Sequence, residues 1–367
     1  MISKGEIDDV SSRYDHSKLT VATICSHSAL QIFHGARLEG LRTLGICTSD
    51  RRAMYEAFPL AKPDEFLIVE RFKDVLKPEI QVRLARKNAV VIPHGSFVEY
   101  VGAEEILKQF TVPMFGNRLS LLWETDRKRQ RKWLESSGLN MPREYKDPEK
   151  IDRRVFVKLP GAKGGRGFFT AKDPEEFKVK LADKTKRGII SAEDAANFNI
   201  QEFISGVRYY PHYFCSKLEK LDKNAKYGNV ELLSMDKRIE PIDESYRGLP
   251  DIPEAFFDYT VTGNQPLVAR ESLIPRILRM GECVAERSTV LFPPGLVGPY
   301  SLETIYHPNS GFTVFEISAR IVAGTNLYPL GSPYSAYLYA EPMSTGRRIA
   351  RELKLAAEKN ALENVVF

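Results

Sequence analysis

The stretch GPYSLETIYHPNSGFTVFEISAR, residues 298–320, decides the fold. Polar and apolar residues alternate on both sides of the turn-forming HPNSG, so the sequence predicts two antiparallel strands joined by a turn. A turn centred near Asn309 places Glu303 almost opposite Glu316. Because side chains two positions apart in a strand share a face, we expect Val314 to lie on the same face as Glu316.

The facing pair of glutamates predicts a cation site. Two carboxylates whose Cβ atoms lie about 5 Å apart repel, so one must take up a proton or both must share a cation. Oxygen ligands suit a hard ion such as Mg²⁺, which commonly bridges to substrate phosphates. The alternative is a surface hairpin whose two glutamates are solvated, and the hairpin alone leaves both interpretations open.

Composition limits the classes of function. The chain has 367 residues, of which 43% are hydrophobic and 28% charged, as in a globular protein of two or more domains. A net charge of +5 favours anionic small molecules over nucleic acid as partners. The four cysteines form no Cys-x-x-Cys pair, so we expect neither zinc nor disulfides. Without a signal peptide or a long apolar run, we expect a cytoplasmic protein that has no membrane partner.

The first third of the chain predicts an open parallel sheet. Residues 18–120 alternate between short apolar strands and helical patterns, which is typical of a doubly wound fold. Ligands of such sheets bind beyond the carboxyl ends of the strands. The clusters SHS at 26–28 and HGS at 94–96 follow the first and fourth strands, and so predict a ligand site there. The alternative is that Ser26 or Ser28 only caps a helix.

A polar helix is predicted over residues 119–137, which include the basic run RKRQRK. Glu124 lies four residues before Lys128, a spacing that stabilises an exposed helix. The basic run therefore favours a solvated helix over a surface for nucleic acid.

A lysine-bearing strand and a glycine-rich loop follow in RRVFVKLPGAKGGRGFF, residues 154–170. The loop matches neither the Walker A pattern nor G-x-G-x-x-G. Glycine lets a backbone approach a phosphate closely, so we predict a lid over phosphates that is mobile without nucleotide. The alternative is an ordinary mobile hairpin. The residues predicted to meet the phosphates are Lys158, Gly164, Gly165, Arg166 and Gly167.

These features together resemble the ATP-grasp fold. In that family a lysine-bearing strand and a glycine-rich loop cover ATP, an E-F-[IV] strand lines the adenine cleft, and two acidic residues hold Mg²⁺. The resemblance implies that Glu303 and Glu316 are the metal ligands. The family's last motif is often E-x-N-x-[RK], and the serine at 318 departs from it. The implied adenine-cleft residues are Gln201, Glu202, Phe203 and Ile204.

The opening ATICSHSALQIFHGARLEGLRTLGICT resembles a narrower group, the archaeal formate- and ATP-dependent synthetases of the purine pathway, often called PurP. IPHGSF at 92–97, TGNQPLVARESL at 262–273 and ISAR at 317–320 look like the same family. That family converts 5-aminoimidazole-4-carboxamide ribonucleotide (AICAR) to its formamido derivative (FAICAR). The resemblance implies an ATP-dependent carbon–nitrogen ligase with Mg²⁺ or Mn²⁺, acting on formate through formyl phosphate and releasing ADP and phosphate.

Carried over residue by residue, the resemblance implies roles in binding and catalysis. Whether His27 is a general base or only hydrogen-bonds the substrate stays open. Glu231 is implied as an ATP contact, and a homo-oligomer is implied for the assembly. The implied AICAR contacts are His27, Ser28, Ser96 and Asn264, and the implied catalytic residues are His27, Lys158 and Arg320.

The implied fold class combines α/β and α+β parts. A Rossmann-like, pre-ATP-grasp domain that binds the substrate covers residues 1–122, and an ATP-grasp domain covers 123–367, with a lid subdomain at about 145–205. Two rival functions remain. One is an ATP-grasp ligase paralogue that uses a different carboxylate or amine acceptor, and the other is a nucleotide-binding regulator without turnover.

Overall fold

The computed structural model contains three β-sheets in the part of the chain that it describes. The predicted glycine-rich loop, with Gly164, Gly165, Arg166 and Gly167, lies outside that part. The described residues are 1–158, 168–188, 190–191, 195, 198–219, 230–241 and 261–367.

The first sheet is parallel, as the alternation of strands and helices predicts. Its core contains apolar side chains of the strands and of the helices that cover them, such as Ile24, Ile46 and Phe97. The strands are β1 (Thr20–Ile24), β2 (Arg42–Cys47), β3 (Glu65–Ile68) and β4 (Ala89–Val91), in the order β3-β2-β1-β4. The helices are α1 (Lys4–Ser12), α2 (Ala29–Leu38), α3 (Ser49–Glu56), α4 (Pro78–Arg86), α5 (Gly95–Val101) and α6 (Ala103–Gln109).

The predicted long helix is two helices, α7 (Arg118–Thr125) and α8 (Arg127–Ser136). Asp126 separates them, and its carboxylate accepts hydrogen bonds from the backbone N–H groups of Lys128 and Arg129. An aspartate at this position satisfies the free N–H groups of a helix start. The prediction of one continuous helix was therefore wrong, because Asp126 caps the start of a new helix directly before the basic run.

The second sheet is antiparallel and carries Lys158 on one of its strands. Apolar residues of these strands pack with the helix α9 (Pro174–Lys186) around Phe169 and Phe177. The strands are β5 (Glu144–Tyr145), β6 (Val155–Lys158), β7 (Phe168–Ala171) and β8 (Asn199–Glu202), in the order β5-β8-β6-β7.

The third sheet contains the predicted hairpin and supports the candidate site. The helix α10 (Ile274–Leu291) covers its inner face, where the hydroxyl of Tyr213 donates to the carbonyl of Ile277 at 2.7 Å. The strands are β9 (Val207–Cys215), β10 (Glu231–Ile239), β11 (Gly263–Pro266), β12 (Gly298–His307) and β13 (Gly311–Ser318), in the order β11-β10-β9-β12-β13.

The hairpin has the predicted pairing of Glu303 with Glu316, but a bulge follows it. Thr304 pairs with Val314, so that Phe315 is an extra residue on β13. One extra residue reverses the alternation beyond it. Val314 therefore packs in the apolar core with Ile317, and the prediction that it shares the face of Glu316 was wrong.

The carboxyl-terminal helix α11 (Thr345–Glu358) returns to the first sheet and packs on α2. The approach is so close that a Cβ atom on Gly35 would lie 2.1 Å from the backbone nitrogen of Arg347. The loop at residues 322–326 adds a second connection, since Gln31 donates to Thr325 Oγ1 at 3.1 Å. These contacts hold the parallel sheet against the third sheet. Within the described ranges, no helix is long and apolar enough to cross a membrane.

Candidate active site

The carboxylate pair lies inside the protein rather than on a solvated hairpin. Glu303 is 4% exposed and forms an ion pair with Arg238. The pKa of Glu316 is raised, first by burial and then by the charge of Glu303, while Lys158 and Arg238 oppose the rise. The pair therefore concentrates negative charge that protein cations only partly neutralise, which is the condition expected of a cation site.

Two cations face this pair. Arg238 lies over the ring of Tyr210, with 4.4 Å between the guanidinium carbon and the ring centroid. Burial lowers the pKa of Arg238, but Glu303, Tyr210 and Glu316 together outweigh burial and raise that pKa. Burial lowers the pKa of Lys158, and Glu316 and Glu303 counteract the change. The charges of the lysine on the second sheet and of the carboxylates on the third thus act on each other.

A third cation, Arg320, is held by a carboxylate that the sequence did not point to. Its guanidinium nitrogen lies 3.1 Å from Glu124 Oε1, and the Glu124 side chain is 9% exposed. Glu124 also accepts a hydrogen bond from the backbone N–H of Ala319 at 2.8 Å. Burial raises the pKa of Glu124, and Arg320 opposes the rise. The expectation that Glu124 supports an exposed helix was wrong, because α7 turns this side chain towards residues 319–320.

The two polar clusters of the parallel sheet meet, as predicted from their places after β1 and β4. The hydroxyl oxygens of Ser26 and Ser96 lie 3.0 Å apart. The rings of His27 and His94 are stacked, with 5.2 Å between their centroids. Ser28 makes no capping hydrogen bond to α2, and its hydroxyl instead lies 2.7 Å from His27 Nδ1. The alternative of simple helix capping by Ser28 is thereby excluded.

His27 joins this cluster to the cations. A Cβ atom on Gly95 would lie 3.0 Å from His27 Nε2 and 3.4 Å from the guanidinium carbon of Arg320, so both side chains flank this glycine. The pKa of His27 is lowered, first by desolvation and then by His94, Arg320 and Arg238. The imidazole is consequently neutral at pH 7.

Asn264 ends a row of hydrogen bonds across the third sheet. Its amide nitrogen donates to Asp236 Oδ2 at 2.7 Å, and Asp236 Oδ1 lies 2.8 Å from His212 Nε2. Asn264 is also the cross-strand partner of Arg238. Sequence reasoning missed Asp236, His212 and Arg238. The available signal was the presence of charged and polar residues inside apolar strands, where a buried charge requires a partner.

Glu231, the implied ATP contact, lies apart from the carboxylate pair. Glu231 is buried, where it pairs with Arg348 at 2.9 Å and accepts from the hydroxyl of Tyr339 at 2.6 Å. It precedes Arg238 by seven residues, or about 20 Å along an extended strand, so the structure does not bring it to the pair.

The predicted adenine-cleft residues lie where β8 ends and the chain leads to β9. Glu202 pairs with Arg153 at 3.2 Å, and Gln201 Nε2 donates to Glu144 Oε1 at 3.3 Å. Phe203 is 40% exposed, and Ile204 is half-buried next to it. An exposed aromatic ring beside the second sheet is available to an apolar ligand.

Comparisons with known proteins address the family. Residues 21–145 match the family described as a protein of unknown function (DUF1246), and residues 176–367 match a domain of unknown function (DUF1297). A protein of Korarchaeum cryptofilum named 5-formaminoimidazole-4-carboxamide-1-(beta)-D-ribofuranosyl 5'-monophosphate synthetase is 54% identical over 100% of both chains. Its namesake in Methanocaldococcus jannaschii is 41% identical, again over 100% of both. The chain belongs to this FAICAR synthetase family.

Solved structures agree with that membership. The crystal structure of an IMP biosynthesis protein PurP from Thermococcus kodakaraensis matches with a TM-score of 0.73 and 32% identity, over 95% of this chain and 100% of that one. The ADP complex of purK, an N5-carboxyaminoimidazole ribonucleotide synthetase, matches with a TM-score of 0.57 at 11% identity, over 85% and 72% of the two chains, and so supports the fold alone. The predictions of the ATP-grasp fold and of the synthetase family are confirmed.

The FAICAR synthetase fold offers a donor set that fits a hard divalent cation. Glu303 and Glu316 supply anionic oxygens on facing strands. The described residues contain no group of three or more His, Cys, Asp or Glu side chains that could hold a metal by themselves. Mg²⁺ commonly takes one or two carboxylates and completes its shell with water and substrate phosphates, so two carboxylates suffice.

Proposed function

We propose that this chain catalyses the ATP- and formate-dependent formylation of AICAR to FAICAR. One observation carries the proposal beyond the family. Arg238 pairs with Glu303 of the buried carboxylate pair, and its charge also acts on His27, which lies beside Arg320 at Gly95. These contacts support a proposed site for phosphoryl transfer beside the carboxyl edge of the parallel sheet, where ligands of such sheets bind.

Formate requires activation before an amine can displace its oxygen. In the proposed reaction a formate oxygen attacks the γ-phosphorus of ATP, ADP leaves, and formyl phosphate forms. The amine of AICAR then attacks the formyl carbon, phosphate leaves with the former formate oxygen, and the proton lost by the amine ends on the phosphate. Each step develops charge on phosphoryl oxygens, which preorganised cations stabilise. Lys158, Arg238 and Arg320 are proposed to supply that charge.

The metal is proposed to be Mg²⁺ or Mn²⁺, held by Glu303 and Glu316. When bound, it would neutralise phosphate charge. It would also relieve the repulsion from Glu303, which adds to burial in raising the pKa of Glu316. Arg238, which pairs with Glu303 in the structure, is the side chain that metal binding would release towards the phosphates.

His27, Ser28, Ser96 and Asn264 are proposed to bind AICAR, at the edge where the two clusters meet. A general base works best when its pKa lies near the operating pH, and that of His27 is lowered. We therefore propose that neutral His27 binds the substrate by a hydrogen bond rather than removing its proton. Residues 201–204 are proposed to line the adenine cleft. We also propose that the protein is cytoplasmic and forms a homo-oligomer, and light scattering tests the oligomeric state.

The decisive assay measures orthophosphate release with each substrate omitted in turn. The proposal requires release that depends on both formate and AICAR, with FAICAR formed in equal amount. Release that depends on another carboxylate or amine would indicate the paralogous ligase. Binding of ATP without release under any combination would indicate the regulator.

A further inference from the structure

We propose that Asp236 and His212 orient Asn264 so that its carbonyl oxygen faces the cleft and selects a substrate group with an N–H donor. The inference deepens the proposed function and rests on it for the identity of the substrate. Asp236 and His212 are each 2% exposed and are positioning residues, whereas Asn264 is half-buried.

The direction of the asparagine amide follows from the hydrogen bonds. A carboxylate only accepts, so the group that Asn264 turns towards Asp236 Oδ2, 2.7 Å away, must be its NH₂. The carbonyl oxygen then points away from Asp236. It forms no hydrogen bond to any residue of the described ranges. The free end of Asn264 is therefore an acceptor.

Asp236 cannot turn to another partner. Its second oxygen lies 2.8 Å from His212 Nε2, and His212 Nδ1 lies 2.7 Å from the hydroxyl of Ser234, which fixes the ring. On the other side, a Cβ atom on Gly324 would lie 2.3 Å from Asp236 Oδ1, so the backbone of this loop encloses the carboxylate. The row Ser234–His212–Asp236 thus holds the amide in one orientation.

The acceptor lies in the part of the cleft that the proposed substrate occupies. Asn264 pairs across the strands with Arg238, whose charge acts on His27. The loop that encloses Asp236 also reaches the first sheet, since Asn326 Nδ2 donates to the carbonyl of His27 at 3.2 Å. AICAR carries two N–H₂ groups, the carboxamide and the ring amine, and either can donate to Asn264.

The test first changes Asp236 alone and then exchanges the side chains of Asp236 and Asn264. In Asp236→Asn the new amide keeps its oxygen for His212 and turns its NH₂ towards Asn264. Asn264 must then flip and present NH₂ to the substrate, so two donors face each other. We expect AICAR affinity to fall about tenfold or more. The double variant Asp236→Asn/Asn264→Asp restores both hydrogen bonds and an acceptor in the cleft, and should return affinity to within about threefold of wild type.

Isothermal titration with three ligands identifies the donor: AICAR, its 4-carboxylate analogue, and the analogue without the ring amine. The loss in Asp236→Asn should disappear for the analogue that lacks the contacting N–H group. Tyr328→Phe is a matched control, because it removes a hydroxyl that donates to the carbonyl of Met235 on the same strand, and it should bind all three ligands as wild type does.

Two results would overturn the inference alone: equal loss for all three ligands in Asp236→Asn, or a double variant that folds and stays as weak as the single one. Should Asp236→Asn not fold, the double variant carries the test, because its hydrogen bonds match those of wild type. A wild-type protein that does not bind AICAR would overturn the proposed function and this inference with it. If wild type formylates AICAR but Asp236→Asn loses the same affinity for all three ligands, only the inference is overturned.

Discussion

Glutamine substitutions at Glu303 and Glu316 should change stability in opposite directions, although both remove a proposed metal ligand. Glu303 neutralises Arg238, so Glu303→Gln leaves a largely buried guanidinium without its counter-ion. Breaking such a pair costs about 3–5 kcal/mol when burial is complete. Because Arg238 retains some exposure, glutamine still accepts a hydrogen bond and the repulsion with Glu316 is also relieved, we expect a net loss of about 1 kcal/mol.

Glu316→Gln removes the same repulsion but leaves the ion pair of Glu303 with Arg238 intact. Facing carboxylates about 5 Å apart repel by about 3 kcal/mol at an effective dielectric constant of 20. Lys158 and Arg238 attract Glu316 and offset part of this. We therefore expect Glu316→Gln to be more stable than wild type by about 1 kcal/mol at pH 8 in the absence of divalent metal.

The pH dependence has a definite sign. Because the pKa of Glu316 is raised in the folded state, its contribution to stability is present below the unfolded pKa and is lost as the pH rises through the folded pKa. Wild-type protein without metal should lose stability from this group between about pH 5 and pH 8. Glu316→Gln should lack that component, and added Mg²⁺ should stabilise wild type more than either variant.

Denaturant unfolding at pH 5 and pH 8, with and without Mg²⁺, measures all of these differences. Destabilisation of equal size in both variants would refute the assigned roles of Arg238 and Glu303. An unchanged pH dependence in Glu316→Gln would show that this carboxyl is not the buried titrating group. Equal stabilisation of all three proteins by Mg²⁺ would show that Glu303 and Glu316 do not bind the metal.

Three further predictions concern AICAR binding, turnover and the glycine-rich loop. His27→Ala should weaken AICAR binding by about 1–3 kcal/mol and leave ATP binding unchanged in isothermal titration. Weaker ATP binding with unchanged AICAR binding would show that the two ligand sites are assigned the wrong way round. Glu124→Gln should free Arg320 and lower kcat about tenfold or more in steady-state kinetics. The exposed Lys128→Gln of the next helix should not, and similar losses in both would contradict a specific role for Glu124. The glycine-rich loop at 161–167 should gain protection from hydrogen exchange when ATP binds, and identical exchange in both states would contradict a lid.

Local patterns were enough to predict the parallel sheet and the pairing of Glu303 with Glu316. Alternation at period two and turn residues at 307–311 determine which residues of a hairpin oppose each other, and those features lie within one short stretch. The bulge at Phe315 was not predictable in this way, because it depends on which side chains the core accepts. For the same reason, the sequence did not show that Val314 faces the apolar core.

The charged partners of the site could not be found from the sequence. Glu124 and Arg320 are nearly two hundred positions apart, and only the packing of α7 against the end of the hairpin brings them together. A spacing of four within the helix suggested a local partner for Glu124 instead. Long-range pairs of this kind, including Arg238 with Glu303, depend on the tertiary arrangement of strands.

The route of an oxygen atom tests the central claim most directly. Formate labelled with ¹⁸O in both oxygens is supplied with ATP and AICAR, and the released phosphate is analysed by mass spectrometry. Activation through formyl phosphate predicts one ¹⁸O in each phosphate and one in each formyl group of FAICAR. Unlabelled phosphate released alongside FAICAR would contradict the account.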